Sequence, residues 1–174
     1  MNIRKFKNIM PIIGKDAYID PAATIIGDVE IGSNCSVWPS TVIRGDVNHI
    51  RIGNDTNIQD GSVLHVTHYG KYGDGSPLII GDKVTIGHAV VLHACTIKDS
   101  VLIGMHSTVL DKVVIEPYVM IGAGSLVPEG KVLESGYLYF GNPVKKVREL
   151  TDEEKAFLDY SAEHYVSIKN DYTC

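Results

Sequence analysis

The stretch Ile80-Gly81-Asp82-Lys83-Val84-Thr85-Ile86-Gly87-His88-Ala89-Val90-Val91-Leu92-His93 returns an aliphatic residue at every sixth position: Ile80, Ile86 and Leu92. Val84 and Val90 stand two residues before an anchor, so each pair points to one side of a short extended segment. Turn formers such as Gly81-Asp82 fall between the segments. A period of six suits neither an amphipathic helix nor a long alternating strand. It marks a parallel β-helix, in which each short repeat stacks on its neighbour and the stack buries one continuous core.

The same phase extends in both directions. Upstream the anchors are Ile13, Ile19, Ile25, Ile31, Val37 and Ile43, then Ile52, Ile58 and Leu64; downstream they are Ile97, Ile103, Val109, Ile115, Ile121 and Val127. At three hexads per coil this predicts about six coils over residues 13–130. Three breaks interrupt the phase: three extra residues around Val47-Asn48-His49, ten extra within 66–77, and a step one residue short from Leu92 to Ile97. All flank the histidine-bearing coils, and loops on a rigid scaffold are where function tends to sit. Residues 1–12 have no clear period and are expected to form an irregular cap, and 128–143 an extended linker. Thr151-Asp152-Glu153-Glu154 is a capping box. It opens a helix over 151–170, with Phe157, Tyr160, Ser161, His164, Tyr165 and Ile168 on one face, packed along the outside of the stack. The expectation is a single all-β domain, 1–174, with one C-terminal α-helix.

The chain has 174 residues and a formal net charge of -5, which gives no electrostatic reason for binding nucleic acid or anionic lipid. Cys35, Cys95 and Cys174 are odd in number and lack metal-binding spacing, so reduced thiols in a cytoplasmic protein are expected. No apolar run approaches the ~20 residues of a membrane span. The basic N-terminus is not followed by a signal-peptide pattern.

Histidine is the commonest neutral-nitrogen metal ligand, and three with an open fourth position describe a catalytic zinc site. His65 and His93 each follow an anchor by one residue, and those anchors lie three steps apart. They therefore stack on one face, one strand spacing (~5 Å) apart, with Arg44 in the same column beneath. His88 follows Ile86 by two and lies on another face, over Asp60. A rigid prism does not bring that corner to the His65–His93 column, so either His88 is unrelated or a neighbouring chain supplies it. Threefold association would make three equivalent sites, and a homotrimer with interfacial metals is predicted. His49, His68, His106 and His164 read as ordinary surface or packed residues.

The segments Arg44-Gly45-Asp46, Asn57-Ile58-Gln59-Asp60-Gly61, Leu64-His65, Gly87-His88 with His93, and Ser135-Gly136-Tyr137-Leu138-Tyr139 resemble the γ-class carbonic anhydrases, in particular their short bacterial YrdA-type branch. The resemblance spans nearly the whole chain. It implies a left-handed parallel β-helix and a homotrimer, against the usual crossover preference. It further implies His65 and His93 as metal ligands from one subunit and His88 from its neighbour. By the same resemblance Gln59 orients the metal-bound hydroxide with Asn57 nearby, Arg44, Asp46 and Asp60 form an interface network, and Tyr139 or Tyr137 reaches the site. The implied chemistry is reversible hydration of CO2 to bicarbonate on Zn2+ or Fe2+, which lowers the pKa of bound water from 15.7 to about 7. The chain departs from the best catalysts of that family in two places. Val47 stands where they carry an acidic residue, and the loop 66–77 holds no glutamate, leaving His68 or Asp74 as proton shuttles. Two other functions compete. One is an acyl-CoA-dependent acyltransferase, common among β-helix trimers and built on one histidine base without metal. The other is a catalytically silent metal-binding protein on the same scaffold.

Overall fold

A computed structural model describes residues 2–172; Cys174 lies outside them. The chain winds into a parallel β-solenoid with three faces and a single C-terminal helix. On the first face, Asn2–Arg4, Thr24–Ile31, Val42–Ile52, Val63–His65, Val91–His93, Thr108–Val109 and Leu126–Val127 pair in parallel order. The far ends of Thr24–Ile31 and Val42–Ile52 turn the corner into the second face. There they join Ile12–Ile13, Leu78–Ile80, Thr96–Ile97, Val114–Ile115 and Val132–Leu133. The third face runs from Tyr18–Ile19 through Ser36–Val37, Asn57–Ile58, Thr85–Ile86, Leu102–Ile103 and Met120–Ile121 to Tyr137–Phe140.

The hexad anchors line the interior as three columns. Ile25, Ile43, Leu64, Leu92, Val109 and Val127 of the first column are all fully buried. Each such side chain contributes roughly 1.5–3 kcal/mol relative to exposure. The columns fix the register, because a slip of one residue would turn every anchor outward.

Both ends of the stack correct the sequence expectation. Residues 1–12 are not merely an irregular cap: Asn2–Arg4 places Ile3 opposite Ile25, and Ile12–Ile13 pairs with Glu30 and Ile31. The supposed linker 128–143 continues the phase, with Leu133 over Ile115 and Tyr139 over Ile121. Each face therefore has seven levels rather than six. Pro128 and Gly130 disguise the last turn, and its final anchor is aromatic.

The corners are tight. Asn34, Asp55 and Lys83 all adopt a positive φ, at 57°, 54° and 55°, a region that Asn and Asp tolerate better than most side chains. Gly45 is required by close approach, since a Cβ there would run into the Asp28 carbonyl oxygen. Just after it the register shifts: Gly27 opposes Gly45 but Val29 opposes Ile50, so residues 46–49 bulge outward.

The helix spans Asp152–Tyr172. Its capping box closes as expected, Thr151 Oγ1 accepting from the Glu154 N–H at 3.2 Å and Glu154 Oε2 accepting from the Thr151 N–H at 2.9 Å. It lies along the third face, but turned from the expected orientation. Leu158, Ser161 and Ala162 are buried, while Phe157, Tyr160 and His164 face outward. Leu158 and Ala162 complete the i, i+3, i+4 stripe that the aromatic residues suggested one position away. Tyr165 and Tyr172 dock on Trp38, with ring centroids 5.9 and 5.2 Å apart.

Candidate metal centre

The first face brings His65 and His93 directly opposite each other. His65 Nδ1 lies 3.2 Å from His93 Nε2. The remaining nitrogen of each ring meets a carboxylate from an adjoining level. His65 Nε2 is 3.0 Å from Asp46 Oδ1, and His93 Nδ1 is 2.6 Å from Asp111 Oδ1. Asp46 comes from below, carried on the bulge after Gly45, where its second oxygen accepts from Arg44. Asp111 comes from above, and its second oxygen accepts from Thr67 at the root of the hairpin Thr67–Gly70 and Gly73–Ser76. That hairpin is the ten-residue insertion. The bulge and the insertion each deliver a residue that braces the histidine pair.

Burial pushes the Asp46 and Asp111 carboxyls up, but the bonds they accept hold both below the usual carboxylate range: His65 and Arg44 for Asp46, Thr67 and His93 for Asp111. Burial lowers the His65 pKa, opposed by its bond to Asp46 and reinforced by the Arg44 and His93 charges. The site therefore favours ionised carboxylates beside a neutral His65 imidazole.

On the third face His88 Nδ1 sits 3.0 Å from Asp60 Oδ2, as their shared column required. Beside them is a cavity of about 230 Å³ lined by Gln59, Thr85, Gly87, His88, Met105 and Ser161 among others. Gln59 and Asn57 are buried, and Gln59 Nε2 donates to Asn57 Oδ1 at 3.1 Å. Every proposed imidazole ligand thus has a carboxylate on one nitrogen, the arrangement that fixes tautomer and raises basicity at metal sites.

The remaining candidate residues lie as follows within the single chain. Asp46 and Asp60, taken from sequence as interface residues, are each bonded to a histidine of their own chain. Tyr139 is not at the histidines: it is 3% exposed within the apolar core, and its hydroxyl oxygen accepts from the Glu134 N–H at 2.9 Å. Tyr137 lies under Lys146 and donates to Glu149. His68 and Asp74 are exposed on the hairpin. The sequence reading missed Asp111 and Thr67, although Asp111 follows His93 by eighteen residues, one full coil. Among the described residues, no three His, Cys, Asp or Glu side chains of one chain converge to hold a metal ion. Cys35 and Cys95 are buried free thiols. No described helix is long and apolar enough to cross a membrane.

The family model described as Bacterial transferase hexapeptide (six repeats) matches residues 10–45 and 94–129. Over 171 residues the chain is 55% identical to protein YrdA of Escherichia coli strain K12, a match covering 98% of this chain and 93% of the relative. It is 44% identical over 164 residues to a carbonic anhydrase of Geobacillus kaustophilus, covering 94% and 87%. Among solved structures, a hexapeptide transferase family protein from Anaplasma phagocytophilum superposes with a TM-score of 0.91 at 41% identity, covering 98% of each chain. The chain belongs to the hexapeptide-repeat family that includes protein YrdA and the gamma carbonic anhydrases.

Proposed function

We propose that this protein catalyses the reversible hydration of CO2 to bicarbonate, as a metal-dependent cytoplasmic homotrimer. Each site takes His65 and His93 from one copy and His88 from the next. The observation that carries this reading is the facing nitrogen pair, His65 Nδ1 and His93 Nε2, at 3.2 Å. An ionised carboxylate only accepts, so Asp46 and Asp111 claim the N–H of their respective rings. A neutral imidazole has one N–H, which leaves both facing nitrogens with bare lone pairs. A cation held between them would satisfy both lone pairs at once. A tetrahedral ion at ~2.0–2.1 Å from each ligand nitrogen holds the pair roughly 3.3 Å apart, so the spacing fits. Nitrogen donors accept zinc or iron.

Such an ion, when bound, supplies a water with a pKa near 7 in place of 15.7. The chain's own groups do the rest. Asp46, Asp111 and Asp60 hold the three imidazoles in the ligating tautomer. Gln59, backed by Asn57, presents its carboxamide to the cavity beside His88 and orients the reacting water. Arg44 and Asp60 are nearly half exposed in a single chain, 42% and 48% at the side chain, and would pair across the interface. The proton released by hydration must leave through a group of suitable pKa. We assign that role to His68 and Asp74 on the exposed hairpin.

Anaerobic purification followed by elemental analysis, light scattering and stopped-flow CO2 hydration tests the reading. The expected result is one zinc or iron per chain, a trimer mass, and hydration that His93→Ala abolishes. Full metal occupancy without hydration would assign a silent metal-binding role instead. The likeness to a transferase-family structure supports a second reading, acyl transfer, and acetyl-CoA turnover insensitive to chelators would establish it.

A further inference from the structure

The C-terminal helix reaches the candidate site through a buried chain of polar side chains. Gln59 Nε2 donates to Asn57 Oδ1 at 3.1 Å. Asn57 Nδ2 donates to Thr85 Oγ1 at 3.0 Å, and Thr85 Oγ1 shares a hydrogen with Ser161 Oγ, also at 3.0 Å. All four residues are buried, with Asn57 at 1% and Thr85 at 4% exposure. At the last link either hydroxyl can donate. An asparagine whose oxygen is taken offers only its NH2 group onward, and a hydroxyl that accepts from it still has one hydrogen to give. These bonds tie the Gln59 NH2 group to Asn57 and leave the Gln59 carbonyl oxygen as the end turned away from it. The cavity it borders also contains His88.

Ser161 itself is held firmly. Asp159 accepts from Ser100 Oγ at 2.8 Å, Lys83 bridges to Asp159 and Glu163, and Tyr165 packs on Trp38. Helix formation alone does not explain a serine here, since alanine is the better helix former and fits a buried interface.

We infer that Ser161 and Thr85 are positioning residues that act through Asn57 to hold the Gln59 carboxamide in place beside the cavity that contains His88, its NH2 group tied to Asn57. Without the anchor, the Asn57 amide is free to turn over, and Gln59 follows with its NH2 group outward. This rests on the role given to Gln59 in the hydration reading, but the placement of its amide can be measured independently.

The experiment uses the full chain as wild type, Ser161→Ala, Thr85→Val and Thr85→Ser. In metal-free protein, the Gln59 side-chain NH2 protons, assigned by 15N NMR against Gln59→Glu, are expected to be protected from solvent exchange. Ser161→Ala and Thr85→Val are expected to lose that protection, and Thr85→Ser to retain it. In metal-loaded protein the first two should lower kcat roughly tenfold with metal content and KM unchanged, and Thr85→Ser should restore it. Unchanged Gln59 exchange in both Ser161→Ala and Thr85→Val would overturn the inference, even with hydration intact. Absence of metal and hydration in the wild type would instead overturn the functional reading while leaving the NMR result standing.

Discussion

His65 and His93 on the first face have side chains 21% and 35% exposed and are clamped from below and above by Asp46 and Asp111. His88 on the third face is 46% exposed and has Asp60 on one side and an open cavity on the other. The first half is built by breaks in the repeat: the bulge at 46–49 supplies Asp46, and the hairpin root supplies Thr67. The second half is built on regular hexads, with Asp60 and His88 at equivalent places in successive coils. One half is thus organised within the chain, while the other stands ready for something brought to it. We propose that a site divided in this way forms where copies meet.

The largest expected effect breaks the two halves apart. His88→Ala and His93→Ala should each abolish metal binding and hydration. Co-refolding the two variants in equal amounts should restore both, because about a quarter of interfaces in a cyclic trimer then join two intact halves. No recovery in the mixture would mean that the halves do not meet. Asp111→Asn should weaken zinc binding about 10–100-fold in chelator competition. Asp60→Asn, on the more exposed half, should cost less than about tenfold; equal losses would erase the distinction between the halves. Thr67→Val removes only a partner of Asp111 and should give a smaller change, about fivefold or less.

The smallest effect is on pH. Burial sets the His65 pKa in the folded chain below its ordinary value of 6.5, so the unfolded chain takes up a proton first as pH falls. The stability from a neutral His65 is fully present above about 6.5 and is lost as pH falls through the folded pKa. Melting of metal-free protein should therefore drop over that range, and His65→Gln should flatten the drop.

The stacked columns were legible because a solenoid makes long-range neighbours out of local spacing. His65 over Arg44, His93 over His65 and His88 over Asp60 all follow from counting hexads. The count failed at the ends, where Ile3 lies ten residues before Ile13 and Tyr139 takes an anchor place usually held by an aliphatic residue. A tyrosine suits the last level because its ring covers the core while its hydroxyl satisfies the Glu134 N–H. The helix face was misjudged for a related reason. Phe157 and Tyr160 looked like core residues, yet Leu158, Ser161 and Ala162 occupy the buried side of the helix.

The sequence by itself determined the repeat, the three faces and which residues share a column, since a six-residue period leaves few ways to bury its anchors. Tertiary structure alone decided which carboxylate clamps which imidazole, that Tyr139 lies inside the core, and that Ser161 meets Thr85. Those contacts depend on side-chain direction and on where insertions fold back, and neither is encoded in the spacing of a repeat.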